Sequence, residues 1–410
     1  MIKALAPLML LVVVATACDT GGNTSAAPQI IIASDLPLFA GAEVPPVQQG
    51  IEFAIHEQGS IAGFKLGYMP LDDSLAGNPN AVRGVGNVER IIAERRVLGM
   101  IGPYSSGVAF QEIPVANASD LAMVSPSVTE SCLTHAAAYC DPAPFCSGLA
   151  SCAVNFFRVS PRDPLQGRAM ARYAASNLKV GRVAALNEWG SEGDEYIKEF
   201  SSELVRAGGE VVLKQDFEPG TENFTAFLTA AKARSAQAIY VIGNASDSVC
   251  LVRAQMNQLL PEAYFLGNDA VMSADPRCIK DSVDAARMLT TYAGFDPLSS
   301  TDTSVNAHID AYRKKYPRAS DVSAYTFAAY DCTRILIDAI TRAIRGNHGA
   351  IPTRAQVVAA VAQTQGFKGV TGSYSFDASG DALAPLMSMY EVQNNKWVFL
   401  HQIDVSAKSS

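Results

Sequence analysis

Apolar residues recur along this chain with two alternating rhythms. Short, nearly continuous apolar runs at 29–33, 65–71, 98–101, 121–124, 181–186, 210–216, 238–242, 263–266 and 288–292 have the length and β-branched content of buried strands. Between them the apolar positions fall three and four apart, which predicts helices. One begins near Pro46 and carries Val47, Ile51, Ala54 and Ile55 on one face. Another places Val82, Val85, Val88 and Ile92 at helical spacing, with Asn78-Pro79 as its expected start. Further helices are expected at 107–118, 164–177, 194–207, 223–234, 247–259, 304–316, 324–345 and 353–364. Gly208-Gly209 and Pro317 are natural stops. Near the end, Tyr374 to Asp377 and two runs at 386–392 and 396–402 read as strands, the last two joined by an Asn394-Asn395 hairpin turn.

Strands alternating with helices of this length call for an α/β fold with parallel sheets and right-handed crossovers. There are too many units for one small sheet. The alternation restarts after Phe156-Phe157-Arg158, and the strand at 288–292 returns toward the first half. The expected division is therefore two Rossmann-like lobes, 29–157 with 290–375 and 158–289 with 376–404, joined by three crossovers.

The N-terminus stands apart. Lys3 precedes an apolar run at 4–14, and Ala15-Thr16-Ala17 are small residues ahead of Cys18. This run is too short for a stable membrane anchor and has the flanks of a signal peptide at 1–17. A Cys directly after the small residues resembles the bacterial lipobox, which implies cleavage before Cys18 and lipid on its thiol. Residues 18–28 read as a flexible tether. The expected location is outside the cytoplasm, at a bacterial membrane surface. A net charge of −8 argues against a nucleic-acid partner.

An oxidising compartment permits disulfides. Cys132, Cys140, Cys146 and Cys152 crowd into 132–152, a stretch without core periodicity that reads as a stapled insertion in the first lobe. Four cysteines leave three connectivities open. Their spacings lack the close pairs of structural zinc, so no metal is assigned. Cys250 and Cys278 are a further possible pair, and Cys332, in an apolar helix, reads as a buried free thiol.

The chemistry concentrates at 98–131. Two strand ends there open into loops of Gly, Pro, Ser and Thr: Gly102-Pro103-Tyr104-Ser105-Ser106 and Ser125-Pro126-Ser127-Val128-Thr129. In open parallel sheets, ligands sit beyond the carboxyl ends of the strands. Hydroxyls beside a helix N-terminus suit a small anion such as a carboxylate.

Several segments in order resemble the type I periplasmic binding proteins, in the leucine/isoleucine/valine-binding branch. They are Tyr68 to Asp73, Val97 to Ser106, Met123 to Thr129, Phe157 to Ser160, Asn187 to Gly193, Gly267-Asn268-Asp269 and Tyr374 to Gly380, together spanning about 29–400. The resemblance implies the substrate-capturing subunit of an ABC importer, closing on a small amino acid or related amide and docking on the transporter's membrane subunits. It implies a carboxylate held by Ser105 or Ser106 with Ser127, Val128 and Thr129, an ammonium facing Asp269, and Trp189 as an aromatic cover. A second family aromatic falls near Asn244 or Ala245, and one from the first loop near Glu43, so the side-chain pocket is expected to be more polar or more open than in a branched-chain binder. A lipoprotein of the same fold that senses or docks without transport is the alternative.

Enzyme readings find little support. The chain has five His without HExxH spacing and no G-x-S-x-G elbow. Gly84-Val85-Gly86 lies inside a helical pattern rather than after a strand. No cofactor is expected.

Overall fold

A computed structural model of the chain describes residues 29–39, 44–135, 154–244, 247–272, 279, 287–317, 322, 324–383 and 386–405. The signal-like run, Cys18, Cys140, Cys146, Cys152 and Cys278 lie outside the described residues, as do Glu43 and Ala245.

Two sheets organise the described residues. The first has six strands in the order Ser60–Ile61, Phe64–Asp72, Ile30–Leu36, Val97–Ile101, Ala122–Ser125 and Phe156–Arg158. All but the short first strand run parallel. Every residue of Ile30–Leu36 is buried, as expected of a central strand covered by helices on both faces. The second sheet has seven strands: Glu210–Asp216, Arg182–Asn187, Ala238–Ile242, Tyr264–Gly267, Met288–Tyr292, Leu386–Gln393 and Lys396–Asp404. Its first five run parallel, and the last two add antiparallel. Asn394 and Asn395 both take positive φ, 52° and 60°, the twist a two-residue hairpin turn needs. Among the described residues no helix is long and apolar enough to cross a membrane.

The long helix Ala324–Gly346 lies over the first sheet. Cys332, a buried free thiol, and Ile335, Leu336 and Ile340 join Ile30, Ile32 and Ile101 in one core. The helix Val44–Gln58 crosses it closely at Gly50, where a Cβ would lie 2.1 Å from the Thr326 carbonyl oxygen, so no larger residue fits. In the second lobe Gly167 serves the same purpose. It lets the helix Asp163–Ser176 approach the backbone of Tyr196, in the helix Ser191–Arg206. That contact holds Asp163 and Tyr196 side by side.

Three details differ from the sequence expectation. Phe156–Arg158 is the edge strand of the first sheet as well as the start of a crossover. Met288–Tyr292 lies inside the second sheet, and the chain returns to the first lobe only beyond it. An apolar run reports that a strand is buried, not which sheet receives it. Asn78–Pro79 pairs with Ser74–Leu75 as a small hairpin, and the helix starts at Ala81. Asn80 is its cap, taking the Arg83 N–H on its side-chain oxygen at 2.9 Å. Asn80 competes successfully because its own N–H bonds the Asp73 carbonyl and keeps Pro79 in the hairpin.

The crossovers are tied by polar contacts. Arg158 is fully buried and donates from Nε to Asp381 at 2.7 Å, from Nη1 to the Glu130 carbonyl at 2.6 Å and from Nη2 to Thr134 at 2.5 Å. Asp381 also receives Arg162 and His135, each at 3.1 Å. Burial alone would raise this carboxyl, but Arg158, His135 and Arg162 hold it well below the usual range. The third crossing is pinned through Ser388, which bonds the Gly294 carbonyl and the Asp296 N–H, and through Tyr390, which donates to Asp296 at 2.6 Å.

Removing one partner of a buried, bonded pair leaves the other charge stranded. Asp381→Ala is expected to cost about 3–5 kcal/mol of unfolding free energy. Urea unfolding measures it, and a loss below about 1 kcal/mol would mean that Arg158 finds adequate partners without the carboxylate.

Candidate functional site

The two sheets present the carboxyl ends of their strands to a cavity of about 780 Å³. Seven of the eight proposed ligand residues line it: Ser105, Ser106, Ser127, Thr129, Trp189, Asn244 and Asp269. The eighth, Val128, does not. Its side chain is buried in the first lobe's core with Leu133 and Phe156, and its N–H donates to Ser125 Oγ at 3.1 Å. The backbone turns successive side chains to opposite faces here, so Ser127 and Thr129 reach the cavity and Val128 faces inward.

The first-lobe wall follows from local chain chemistry. Ser105 is the extended N-cap of the helix Ser106–Asn117, and its side chain makes no cap bond. The first N–H groups of a helix have no acceptor within it. Together with the Ser hydroxyls they form a surface of donors at the positive end of a helix dipole. The opposing loop is locked to this one. Ser125 Oγ donates to the Pro103 carbonyl and Ser127 Oγ to the Tyr104 carbonyl, both at 2.8 Å. This wall is neutral and rich in donors.

The remaining walls are acidic and aromatic. Glu130, Asp163 and Glu192 bring carboxylate oxygens within 4.8 Å of one another, and Asp269 lines the same cavity. None of the described lining residues is Lys, Arg or His. Asp163 accepts from Tyr196 Oη at 2.6 Å, and its N–H bonds the Thr129 carbonyl across the lobes at 3.0 Å. Asp269 opens a single 3-10 turn after the strand Tyr264–Gly267, and its N–H is held by Gln166 at 3.1 Å. Tyr325 Oη reaches its carboxylate at 3.5 Å. Trp189 meets Tyr196 edge-on, with centroids 5.8 Å apart. Tyr325 meets Tyr104 at 5.6 Å and Tyr292 at 4.9 Å. Asn244 is exposed at the rim, its N–H held by Glu188 at 2.9 Å.

Crowding of like charges in a dry site favours protons. Burial first, then the charges of Asp269 and Glu130, push Asp163 up to about 7. Burial, then Glu130 and Asp163, push Glu192 up to about 9. Burial raises Asp269 as well. The arrangement can therefore receive positive charge at one end and a small anion at the other.

Sequence reasoning missed Glu130, Asp163, Glu192 and the tyrosines 104, 196, 292 and 325. Glu130 and Glu192 adjoin or lie within the quoted motifs, but a lone acid in a loop is ordinarily a solvated residue. Asp163 and Tyr196 lie in different helices, and the close packing of those helices at Gly167 brings them together. A count of acids near the motifs was the one signal available.

The sequence comparisons agree with this geometry. The family model for the periplasmic binding protein spans residues 40–396. Leu/Ile/Val-binding protein homolog 2 of Brucella abortus is 26% identical over 374 residues, covering 90% of this chain and 91% of that protein. Leu/Ile/Val-binding protein BraC3 of Rhizobium johnstonii is 26% identical over 355 residues, covering 86% and 88%. The leucine-binding protein LivK from Thermotoga maritima superposes with a TM-score of 0.71 at 25% identity, covering 91% of this chain and 98% of that one. A substrate-binding protein from Desulfitobacterium hafniense in complex with Leu has a TM-score of 0.74 at 18% identity, covering 90% and 99%, and supports the fold alone. The fold and the cleft define a two-lobed solute-binding protein. The chain belongs to the periplasmic binding protein family, type I, in its Leu/Ile/Val-binding-protein-like branch.

The acidic wall makes folding of the unliganded protein pH-dependent. An Asp in the unfolded chain titrates near 4, whereas Asp163 holds its proton to about 7. Its contribution is full below about pH 4 and is lost as the pH rises to about 7, on the order of 1 kcal/mol per pH unit. Denaturant titrations should show this slope, and Asp163→Asn should reduce it by about 1 kcal/mol per pH unit. Identical slopes for the two proteins would remove Asp163 from the acidic coupling.

Proposed function

We propose that this protein is the extracytoplasmic, lipid-anchored solute-binding component of an ABC importer, and that it captures an amino acid between its lobes by hinge closure. The observation that carries the reading is the polarity of the cavity: hydroxyls and a helix N-terminus on one wall, carboxyls on the other, and no basic residue among the described lining. A zwitterion placed across it meets donors with its carboxylate and acids with its ammonium. Ser105, Ser106 and Thr129 would donate to the carboxylate, and Ser127, whose hydroxyl donates to the Tyr104 carbonyl, would border it. Asp269 would face the ammonium, because a charge leaving water needs a partner. Trp189 would cover the ligand, and Asn244 would meet its outer end. The lobes would rock about crossovers near 158–162, 293–296 and 376–383, as hinged binders do.

The names of the Brucella, Rhizobium and Thermotoga relatives support an amino-acid ligand and a transport role. The lipobox-like run ending at Cys18 supports an anchor beside the transporter's membrane subunits. Cys132 and Cys250 are not free thiols, which supports disulfides in an oxidising compartment. A docking lipoprotein entails no tight small-molecule ligand and is separated by a binding experiment, whereas a sensor that binds without transport is separated by ligand uptake in cells that carry or lack the protein.

Within the amino-acid class, four carboxyls are more than one ammonium can satisfy. The excess favours a ligand with a second positive group, such as a basic amino acid, over a branched aliphatic one. Isothermal titration of the mature protein with L-lysine, L-ornithine, L-leucine and small amides decides this. Tighter binding of leucine than of lysine would refute the second charge while leaving the amino-acid reading intact. Asp269→Ala is expected to weaken the preferred ligand at least about 100-fold, roughly 3 kcal/mol, with the fold retained. Wild-type affinity in that variant would show that the ammonium lies elsewhere.

The pH dependence has a definite sign. A cationic ligand needs the acids ionised, and Asp163 and Glu192 are raised to about 7 and about 9. Affinity should therefore rise between pH 6 and 9, with protons released on binding, while the ligand keeps its charge. Titrations in buffers of different ionisation enthalpy count those protons, and a flat profile without release would exclude this coupling.

A further inference from the structure

A second acidic group lies in the first lobe, away from the cleft lining. Asp35 sits near the end of the central strand Ile30–Leu36, Asp73 directly follows the neighbouring strand Phe64–Asp72, and Glu112 projects from the helix Ser106–Asn117. All three residues have zero solvent exposure. Their carboxylate oxygens lie within 4.8 Å of one another. Both oxygens of Asp73, both of Glu112 and Oδ2 of Asp35 are buried, and no hydrogen-bond donor reaches them. Asp35 Oδ1 accepts from Asn87 Nδ2 at 2.9 Å. Arg83 is the adjacent cation, but it is half exposed, pairs with Asp72 at 3.4 Å and donates to the Ser74 carbonyl at 2.8 Å.

This group differs from the other two carboxyl clusters. His135, Asp377 and Asp381 have Arg158 and Arg162 beside them. Glu130, Asp163 and Glu192 face a cavity that a ligand can fill. Asp35, Asp73 and Glu112 face one another, with Asn87 donating to Asp35 and Arg83 nearby. Three buried carboxylates with only the half-exposed Arg83 nearby would cost many kcal/mol, so protons or a cation neutralise them. Protons remove the charge but do not tie the group together: Asp35 and Glu112 are close enough to share one, while no other side chain donates to Asp73. The fold also reserves space for these groups. A Cβ on Gly84 would come within 2.4 Å of Glu112 Oε1 and 2.8 Å of Val108 Cγ1.

We propose that Asp35, Asp73 and Glu112 hold a hard divalent cation of the calcium type. The donor set is all oxygen, with no thiolate or imidazole in the group, which disfavours zinc and the softer metals. Three carboxylates can supply up to six oxygens, the lower end of calcium's usual number. Magnesium keeps several waters, for which a group sealed from solvent is poorly suited. The ion would be structural. It would fasten the helix Ser106–Asn117 to the ends of two strands, two turns from the Ser105-Ser106 edge of the cleft. Burial pushes Asp35 up to about 6 and Asp73 up to about 8, and Glu112 well above its ordinary value, so protons and the ion compete.

The test uses the full mature protein. Elemental analysis after purification without chelator should find about one calcium per chain. After exchange into metal-free buffer, calcium at about a hundred times its dissociation constant should raise the unfolding midpoint by about 3 °C. Glu112→Gln and Asp73→Asn should each lose both the stoichiometric ion and the shift. The wild-type titration stands by itself if either variant fails to fold. Absence of a bound ion, with no shift up to millimolar calcium, would overturn the proposal and leave three carboxyls sharing protons. Preferential uptake of magnesium would overturn the calcium assignment, as would a shift that persists in both variants.

Discussion

The buried pair of Arg158 and Asp381 is the constraint on which the two-lobed arrangement depends. Arg158 closes the last strand of the first sheet, and Asp381 lies on the return crossing, 223 residues later. One carboxylate receives two arginines and a histidine, while Arg158 also grips the Glu130 carbonyl and Thr134. Two crossings are thereby fastened at a single point. A buried pair of this kind costs desolvation and repays it only with full hydrogen bonding. Its value lies in position: it fixes where the first lobe ends, and so where Thr129 and Glu130 meet the helix that begins at Asp163.

The cleft has a division of labour that follows from secondary structure. Strand ends and a helix N-terminus in the first lobe offer N–H and O–H donors without using any charged residue. The acids are carried mainly by the second lobe, at the start of two helices and a 3-10 turn, where the positive end of a backbone dipole partly offsets their charge. Glu130 is the exception, contributed by the first lobe and held at its oxygen by the Cys132 N–H. Aromatic rings close the sides, and Tyr196 and Tyr325 also point hydroxyls at the acids. A site with this charge pattern is strained when empty, and part of that strain is relieved by protons.

Much of the architecture was legible from periodicity. The long buried strands, the helices between them and the terminal hairpin have strong local signals, because burying an apolar stripe demands a repeat of two or of about 3.6. Boundaries were less secure where two local rules competed. Asn78 and Asn80 are both good helix caps, and only the pairing of Ser74–Leu75 with Asn78–Pro79 decides between them. The strand Met288–Tyr292 was recognisable as a strand, but its place in the second sheet depends on partners at Tyr264–Gly267 and Leu386–Gln393.

The same distinction runs through the site. The Ser-rich strand ends were legible as local motifs, and the family resemblance singled out Asp269 and Trp189, which line the same cavity. Only the tertiary structure decided that Glu130, Asp163 and Glu192 converge, that Val128 turns inward, and that Asp35, Asp73 and Glu112 converge in a buried group. Electrostatic environment depends on distances between residues far apart in the chain and on the exclusion of water. Neither quantity has a period along the sequence.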